Sequence, residues 1–401
     1  LTPRLEHDVL AVNGDAVIAG TVLIRFIDGF VPNLGDTYQL FEVSGTLDLS
    51  GAVFVIESAP GISVELDPET GEIVVIPECD DHGLLDNPNR VPGDIKVRVK
   101  NGTLDVKGDK HDNAFRIITA LNGDVIVEGL GGTTLNGQAE PLLVFTAGQV
   151  FDDLRIDTKD GQDFVCLSHL VISDDLTIHT GGETDAVSLV NVDVGGKLTI
   201  HTNGGGDFID VTNTSAERNT KLLSGSGGDQ IAIVSSHFSE DLTVLTDGGD
   251  DTIELSDVSV GEATRIFSGA GDDVLRLRDV SLAVSLISLG LGNDGLLVAD
   301  STIRESFLVL PGLGKDVVDL ENNTFQNRVV VESWLGHLAV RVRENRFQDD
   351  VDFQAGIFSD DVFLDDGSNS FSESPDVKGF NDFSNDLIDA AFSDLLELAF
   401  D

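Results

Sequence analysis

The sequence predicts an all-β chain: a parallel β-helix solenoid of 22-residue coils, preceded by a small β-module and followed by a short C-terminal helix. Two observations carry that expectation. An aspartate recurs at Asp163, Asp185, Asp207, Asp229, Asp251, Asp273, Asp294, Asp316 and Asp360, in steps of 22 residues with one step of 21 and one of 44 that skips Leu338. The second and fourth residues after each position are aliphatic, from Val165 and Leu167 to Val362 and Leu364, and Leu338 keeps the pattern with Val340 and Val342. Alternation with period two marks a strand with one buried face. Repetition at a fixed period of this length marks a solenoid.

Each coil divides into three strands. The first follows the anchor aspartate. A second alternating run precedes each glycine turn, as in "DLTIHT" at 175, "KLTIHT" at 197 and "DLTVLT" at 241. A third, weaker apolar pair falls seven and nine residues after the anchor, as at Val192/Val194, Val258/Val260 and Val280/Leu282. A leucine-rich repeat has a similar period but needs asparagine or cysteine three residues after its last strand leucine and an arc or helix afterwards. Here the polar position comes two residues after it and another strand follows, which favours the β-helix. Its interior is a stack of Val, Ile and Leu, each contributing roughly 1.5–3 kcal/mol on burial, and its ends are sheet edges that need caps.

Outside the period the chain changes character. Residues 1–78 alternate apolar and polar in runs such as "DAVIAGTVLIRFI", "DTYQLFEVS" and "GEIVVIP", separated by "VPNLGD" and "DPETG" turns, and read as an N-terminal β-module. Residues 79–94 are polar and proline-bearing, a linker. The β-helix then covers 95–375, its first coils irregular, and 376–401 form a capping or docking segment. Within that segment Phe383, Leu387, Ile388, Phe392, Leu395 and Leu396 fall at helical spacing, with Ser384 or Asn385 as N-cap.

Seventy-one acidic against 24 basic residues give a formal charge of −47. That charge repels nucleic acid and anionic lipid and attracts cations. No stretch reaches the roughly 18 consecutive apolar residues of a membrane helix, so neither a nucleic-acid partner nor membrane insertion is expected. The chain has no methionine and no visible signal peptide, as expected of a processed or excised segment. Cys79 and Cys166, 87 residues apart, form no metal pattern or evident disulfide framework and leave the redox compartment open.

The anchored coils, with "ENNTFQNRVVVE" and "RENRFQDDVDFQ", resemble the right-handed parallel β-helices of the pectate-lyase-like superfamily. The stretch "LAVNGDAVIAGTVLIRFIDGFVPNLGDTYQLFEVSG" resembles a strand-rich module of large secreted and surface proteins of bacteria, planctomycete-type and autotransporter-like, and "NGTLDVKGDKHDNAFRI" is similar to a segment of the same proteins. The resemblance covers about 95–375 for the β-helix. It implies a fold rather than an activity, and an extracellular or cell-surface location.

Several columns carry candidate chemistry. Calcium β-rolls repeat Gly-Gly-x-Gly-x-Asp every nine residues, whereas here a glycine-rich turn and an aspartate come once in 22. Glycine is then expected to supply positive φ and the anchor aspartate to bond turn amides. Six residues after each anchor lies a second polar column: His169, Asn191, Asn213, Ser235, Asp257, Asp279, Asp300, Asn322 and Glu344. With coils about 4.8 Å apart, Asp257, Asp279 and Asp300 make a ladder of like charges that either repels or holds cations. Hard oxygen ligands favour calcium, and its candidate ligands are these three with Asp250, Asp251, Asp272 and Asp273.

His179 and His201, with Asp157 one coil earlier, could stack as a zinc set but lack a fourth ligand. Enzymes on this fold commonly use clustered acids with arginine or lysine, for which Arg276, Arg278, Arg341 and Arg343 are the candidates. Glu254/Arg276 and Asp319/Arg341, however, are placed to pair across neighbouring coils. One tryptophan, Trp334, and one tyrosine, Tyr38, make little platform for sugar stacking. The expected function is a non-catalytic structural or adhesive rod, able to assemble into a fibre or surface layer or to hold a surface polysaccharide. The alternatives are a polysaccharide lyase or hydrolase, and a calcium-dependent binding module.

Overall fold

The structure, a computed structural model, describes residues 9–25, 37–57, 62–66, 72–77, 79–119, 123–138, 142–146, 151–356 and 361–380. The described residues are all-β and contain a parallel β-solenoid of about ten turns. The C-terminal helix expected around Phe383–Leu396 lies outside them, as does Asp360.

One coil shows how the sequence makes the turn. Thr252–Ser256 is a strand whose alternation buries Ile253 and Leu255. Asp257 takes a left-handed conformation, φ 55°, and bends the chain. Ser259–Val260 is a short second strand, and Thr264–Ala270 a third, which ends in a turn with Gly269 and Gly271 at φ 108° and 141°. Asp273 then opens the next coil. The first and second strands stack into one sheet of 21 strands and the third into a sheet of 14. In-register pairing runs Ile231, Ile253, Leu275, Leu296, Val318, Val340 down one inward row, every member 2% exposed or less.

The first coils are irregular. Asp94–Lys100 pairs antiparallel with Thr103–Lys107, and Ala114–Thr119 antiparallel with Val125–Gly129, before the parallel ladder takes over. At the other end Asp376–Lys378 still pairs with Val351–Gln354, so the coil runs past 375. The aspartate spacing also departs from expectation there. Val340 pairs with Phe363, placing Asp361 rather than Asp360 over Leu338, because this coil holds an extra residue. Phe363, not Val362 or Leu364, joins the main core, and Val362 packs with Val317 outside it.

The three N-terminal runs all form strands: Ala16–Arg25 pairs with Leu47–Glu57, and Thr37–Gln39 with Glu72–Pro77. Stretch 79–94 is fastened to the solenoid. Cys79 is disulfide-bonded to Cys166, His82 stacks on Phe208 at 3.9 Å and meets Asp210 at 2.7 Å, and Arg90 donates to the carbonyls of Gly131 and Asp112. A crosslink over 87 residues stabilises by about 4.6 kcal/mol through the unfolded chain. Replacing both cysteines by serine is expected to lower the urea midpoint accordingly, and an unchanged midpoint would show that the other linker contacts suffice.

Candidate functional site

The densest chemistry is the anchor column, which lies inside the solenoid. Asp163, Asp185, Asp207, Asp229, Asp251, Asp273, Asp294 and Asp316 are at most 1% exposed. Each accepts, on Oδ1, the backbone amide of the equivalent residue one coil earlier: Asp163 N–H to Asp185 and Asp229 N–H to Asp251, both at 2.8 Å, and so on to Asp294 N–H on Asp316 at 3.2 Å. The expectation of bonds within each turn is thus corrected. The glycine turn brings successive coils so close that the carboxyl reaches its neighbour's amide, so the aspartate clamps coil to coil. Leu338 offers no acceptor but donates its own amide to Asp361 at 2.8 Å. Asn113 heads the column, its amide on Asp163 Oδ1 at 2.7 Å.

The other oxygen sets the column's electrostatics. Oδ2 of those eight aspartates is sealed from solvent and accepts no hydrogen bond. A hydroxyl five residues upstream faces six of them: Thr158, Thr180, Thr202, Ser224, Thr246 and Ser268. Thr158, Thr202, Thr246 and Ser268 give their single proton to a carbonyl of the next coil at 2.7–3.2 Å, and Thr180 and Ser224 meet no partner at bonding geometry. These oxygens still have open lone pairs. A carboxyl carrying its own proton can donate to any of them, whereas a carboxylate finds an uncommitted hydroxyl proton only at Thr180 and Ser224.

Two charges one coil apart would repel by roughly 3 kcal/mol at an effective dielectric near 20. Burial accordingly pushes Asp185 up to about 9, Asp163 and Asp294 to about 8, Asp251 and Asp316 to about 7 and Asp207 to about 6. Asn113 displays the neutral arrangement: its Nδ2 donates to the carbonyls of His111 at 2.6 Å and Thr158 at 3.3 Å.

The seven calcium candidates fall on three different columns. Asp251 and Asp273 are buried anchors. Asp250 and Asp272 lie on the outer turn, where Asp250 accepts the Asp272 amide at 2.8 Å and Asp272 that of Asn293 at 2.7 Å. Asp257, Asp279 and Asp300 stand at the opposite end of the first strand. Their column is the left-handed corner of every coil: from His169 to Glu344 all nine members have φ between 48° and 56°. Asn and Asp tolerate that conformation best among non-glycine residues, which explains the residue types. Along the corner Asn213 Nδ2 donates to Asn191 Oδ1, Ser235 to Asp257 and Asn322 to Asp300. Among the described residues no group of three or more His, Cys, Asp or Glu is arranged to hold a metal ion.

The remaining candidates are ordered by the same stacking. Asp157, His179 and His201 are in register, the two imidazoles 5.6 Å apart edge to face. Glu254 registers with Arg276, which is 9% exposed. Arg341 forks onto Asp319 through Nε at 3.1 Å and a terminal nitrogen at 2.5 Å, and Arg343 bonds Asp319 and Glu321.

An asparagine ladder went unread in the sequence. Asn323, Asn345 and Asn369 each accept an amide of the previous coil at 2.8–3.0 Å and donate to a carbonyl at 2.7–2.8 Å. Beside it Phe325, Phe347 and Phe371 stack with centroids 5.0 and 4.9 Å apart. The repeated Asn-x-Phe of the last coils was the available signal. No family model, curated protein or solved structure matches the chain.

Proposed function

We propose that the chain is a non-catalytic structural or adhesive rod that works outside the cell. The observation that carries this reading is where the polar side chains go. The anchor aspartates, the asparagine ladder and the Asp319–Arg341–Arg343–Glu321 group join coil to coil, so their chemistry serves stiffness rather than turnover. The Cys79–Cys166 disulfide supports an oxidising compartment, in keeping with the secreted bacterial proteins and right-handed coils that the sequence resembles. The last strands, Ser370–Phe371 and Asp376–Lys378, have no following coil among the described residues. An edge of this kind can pair with a second molecule, the route to a fibre or surface layer.

A second reading, a calcium-dependent module, draws on Asp257, Asp279 and Asp300, successive carboxylates with only Ser235 and Asn322 bonding the ends of the row. Negative-stain imaging with calcium and with chelator separates these readings. Rods of the same length and stability in both conditions support the structural reading, and rods that form only with calcium support the second. Cleavage of a uronate or neutral polysaccharide, abolished by Arg341→Ala, would overturn both.

A further inference from the structure

The corner of the coil that carries the glycine turns changes character along the solenoid. One position there runs Gly204, Ser226, Gly248 and Ala270, bridged coil to coil, and becomes Leu291, Leu313 and Leu335. These leucines are 52%, 45% and 51% exposed, and Trp334, the chain's one tryptophan, is 73% exposed beside Leu335. Leu313 and Leu335 share a surface hollow with Lys315 and His337. Large apolar side chains exposed in one row mark a docking surface.

A second column, two residues on, changes over the same coils. Asp250 accepts the Asp272 amide, Asp272 the Asn293 amide and Asn293 the Lys315 amide, at 2.7–3.1 Å, and Lys315 registers with His337. Size and charge therefore reverse together about the coil of Leu291 and Asn293. The two coils before it are small and acidic, with Gly248 and Ala270 beside Asp250 and Asp272. The two after it are bulky and basic.

A surface with that reversal complements itself when turned end for end, and a two-fold pair brings one patch against its own copy. An axis across the solenoid at the coil of Leu291 makes two copies antiparallel. Leu291 then meets the partner's Leu291 and Leu313 the partner's Ala270, while Leu335 and Trp334 cover the partner's Gly248 and the partner's Asp247. Lys315 faces the partner's Asp272, twice by symmetry. His337 Nδ1 lies 3.9 Å from Asp361, so Lys315 is the deciding charge. An axis at Leu313 would stack leucine on leucine but set Lys315 against its own copy. A parallel pair would set acidic coils against acidic ones.

We propose that the chain forms this antiparallel two-fold dimer, the occupant of the leucine corner being a second copy. The contact spans four coil steps, about 19 Å, which makes it a weak interface. Each copy carries a charge of −47, but at physiological salt charges more than about 8 Å apart are screened, and Lys315 and the partner's Asp272 are closer than that. The contact lies on the flank, so it stands whether or not the last described strands pair end to end.

Sedimentation equilibrium of the full chain in about 0.15 M salt should show the mean mass rising from one chain towards two over a roughly hundredfold concentration range. Lys315→Asp should weaken association roughly tenfold or more, and Lys315→Asp combined with Asp272→Lys should restore it. Because Asp272 also holds the Asn293 amide, crosslinking gives an independent readout. The chain's two cysteines are already bonded to each other. Leu291→Cys, on the axis, should oxidise to a covalent dimer. Leu313→Cys, two coil steps or about 10 Å from its own copy, is out of disulfide reach and should crosslink only when combined with Ala270→Cys. A single-chain mass throughout would overturn the proposal, as would Leu313→Cys crosslinking as fast as Leu291→Cys. Particles that grow past two chains regardless of Lys315→Asp would put the contact at the strand edges and likewise overturn it.

Discussion

Asp185→Asn is expected to stabilise the protein at pH 8 by up to roughly 5 kcal/mol, and the wild type to lose stability as pH rises from 5 to 9. The carboxyl of Asp185 is buried between Asp163 and Asp207, faces the Thr180 hydroxyl, and is pushed up to about 9. A folded pKa above the unfolded value, about 3.9, makes a contribution that is fully present below pH 4. That contribution is lost as pH climbs through the folded values, here from about 6 for Asp207 to about 9 for Asp185. Asparagine keeps the Oδ1 acceptor for the Asp163 amide and offers Nδ2–H to Thr180, as Asn113 does with its own neighbours. Urea unfolding at pH 5 and pH 8 checks this: the variant should gain at pH 8 and little at pH 5. A variant weaker than wild type at both would mean that the carboxylate itself is the stabilising form.

Gly227→Ala is expected to cost about 4 kcal/mol or more and to split unfolding into two steps. Gly227 sits at φ 132°, and a Cβ there would fall 1.3 Å from the Gly205 carbonyl oxygen of the neighbouring coil. Relief requires the coils to separate, which pulls Asp229 off the Asp207 amide it holds at 2.8 Å. Because each coil of a solenoid touches only its neighbours, a break here leaves two stacks that melt apart. Gly295→Ala is the control, since a Cβ there meets nothing within 4 Å and φ is not positive. Its urea midpoint should match or exceed the wild type, while a Gly227→Ala protein that unfolds like wild type would show that the turn has slack.

The period, the inward aliphatic rows and the Asp319–Arg341 pair were legible in the sequence because parallel stacking repeats one residue position every 22 residues, so each column is a spacing. The register slip at Asp361 was not legible, because Val362, Phe363 and Leu364 are all apolar and alternation has no preference among them. Asp257, Asp279 and Asp300 read as a charge ladder, although what unites them with His169, Asn191 and Ser235 is φ near 50°, a backbone property that several side chains satisfy. The Cys79–Cys166 contact depends on how stretch 79–94 lies against the coils, and no local pattern records that. The anchor column was found but its bonds were placed one coil off, because only the stacked structure shows that Gly227 and its equivalents let one carboxyl reach the next coil's amide.

At neutral pH the most strongly shifted inner aspartates, Asp163, Asp185 and Asp294, join the coils as neutral acids. Infrared spectroscopy of the folded protein at pH 7, with carboxyl-labelled aspartate, tests it most directly. A protonated-carboxyl band at neutral pH that vanishes on unfolding and weakens in Asp185→Asn is the expected result. A spectrum showing only carboxylate at pH 7 would contradict it.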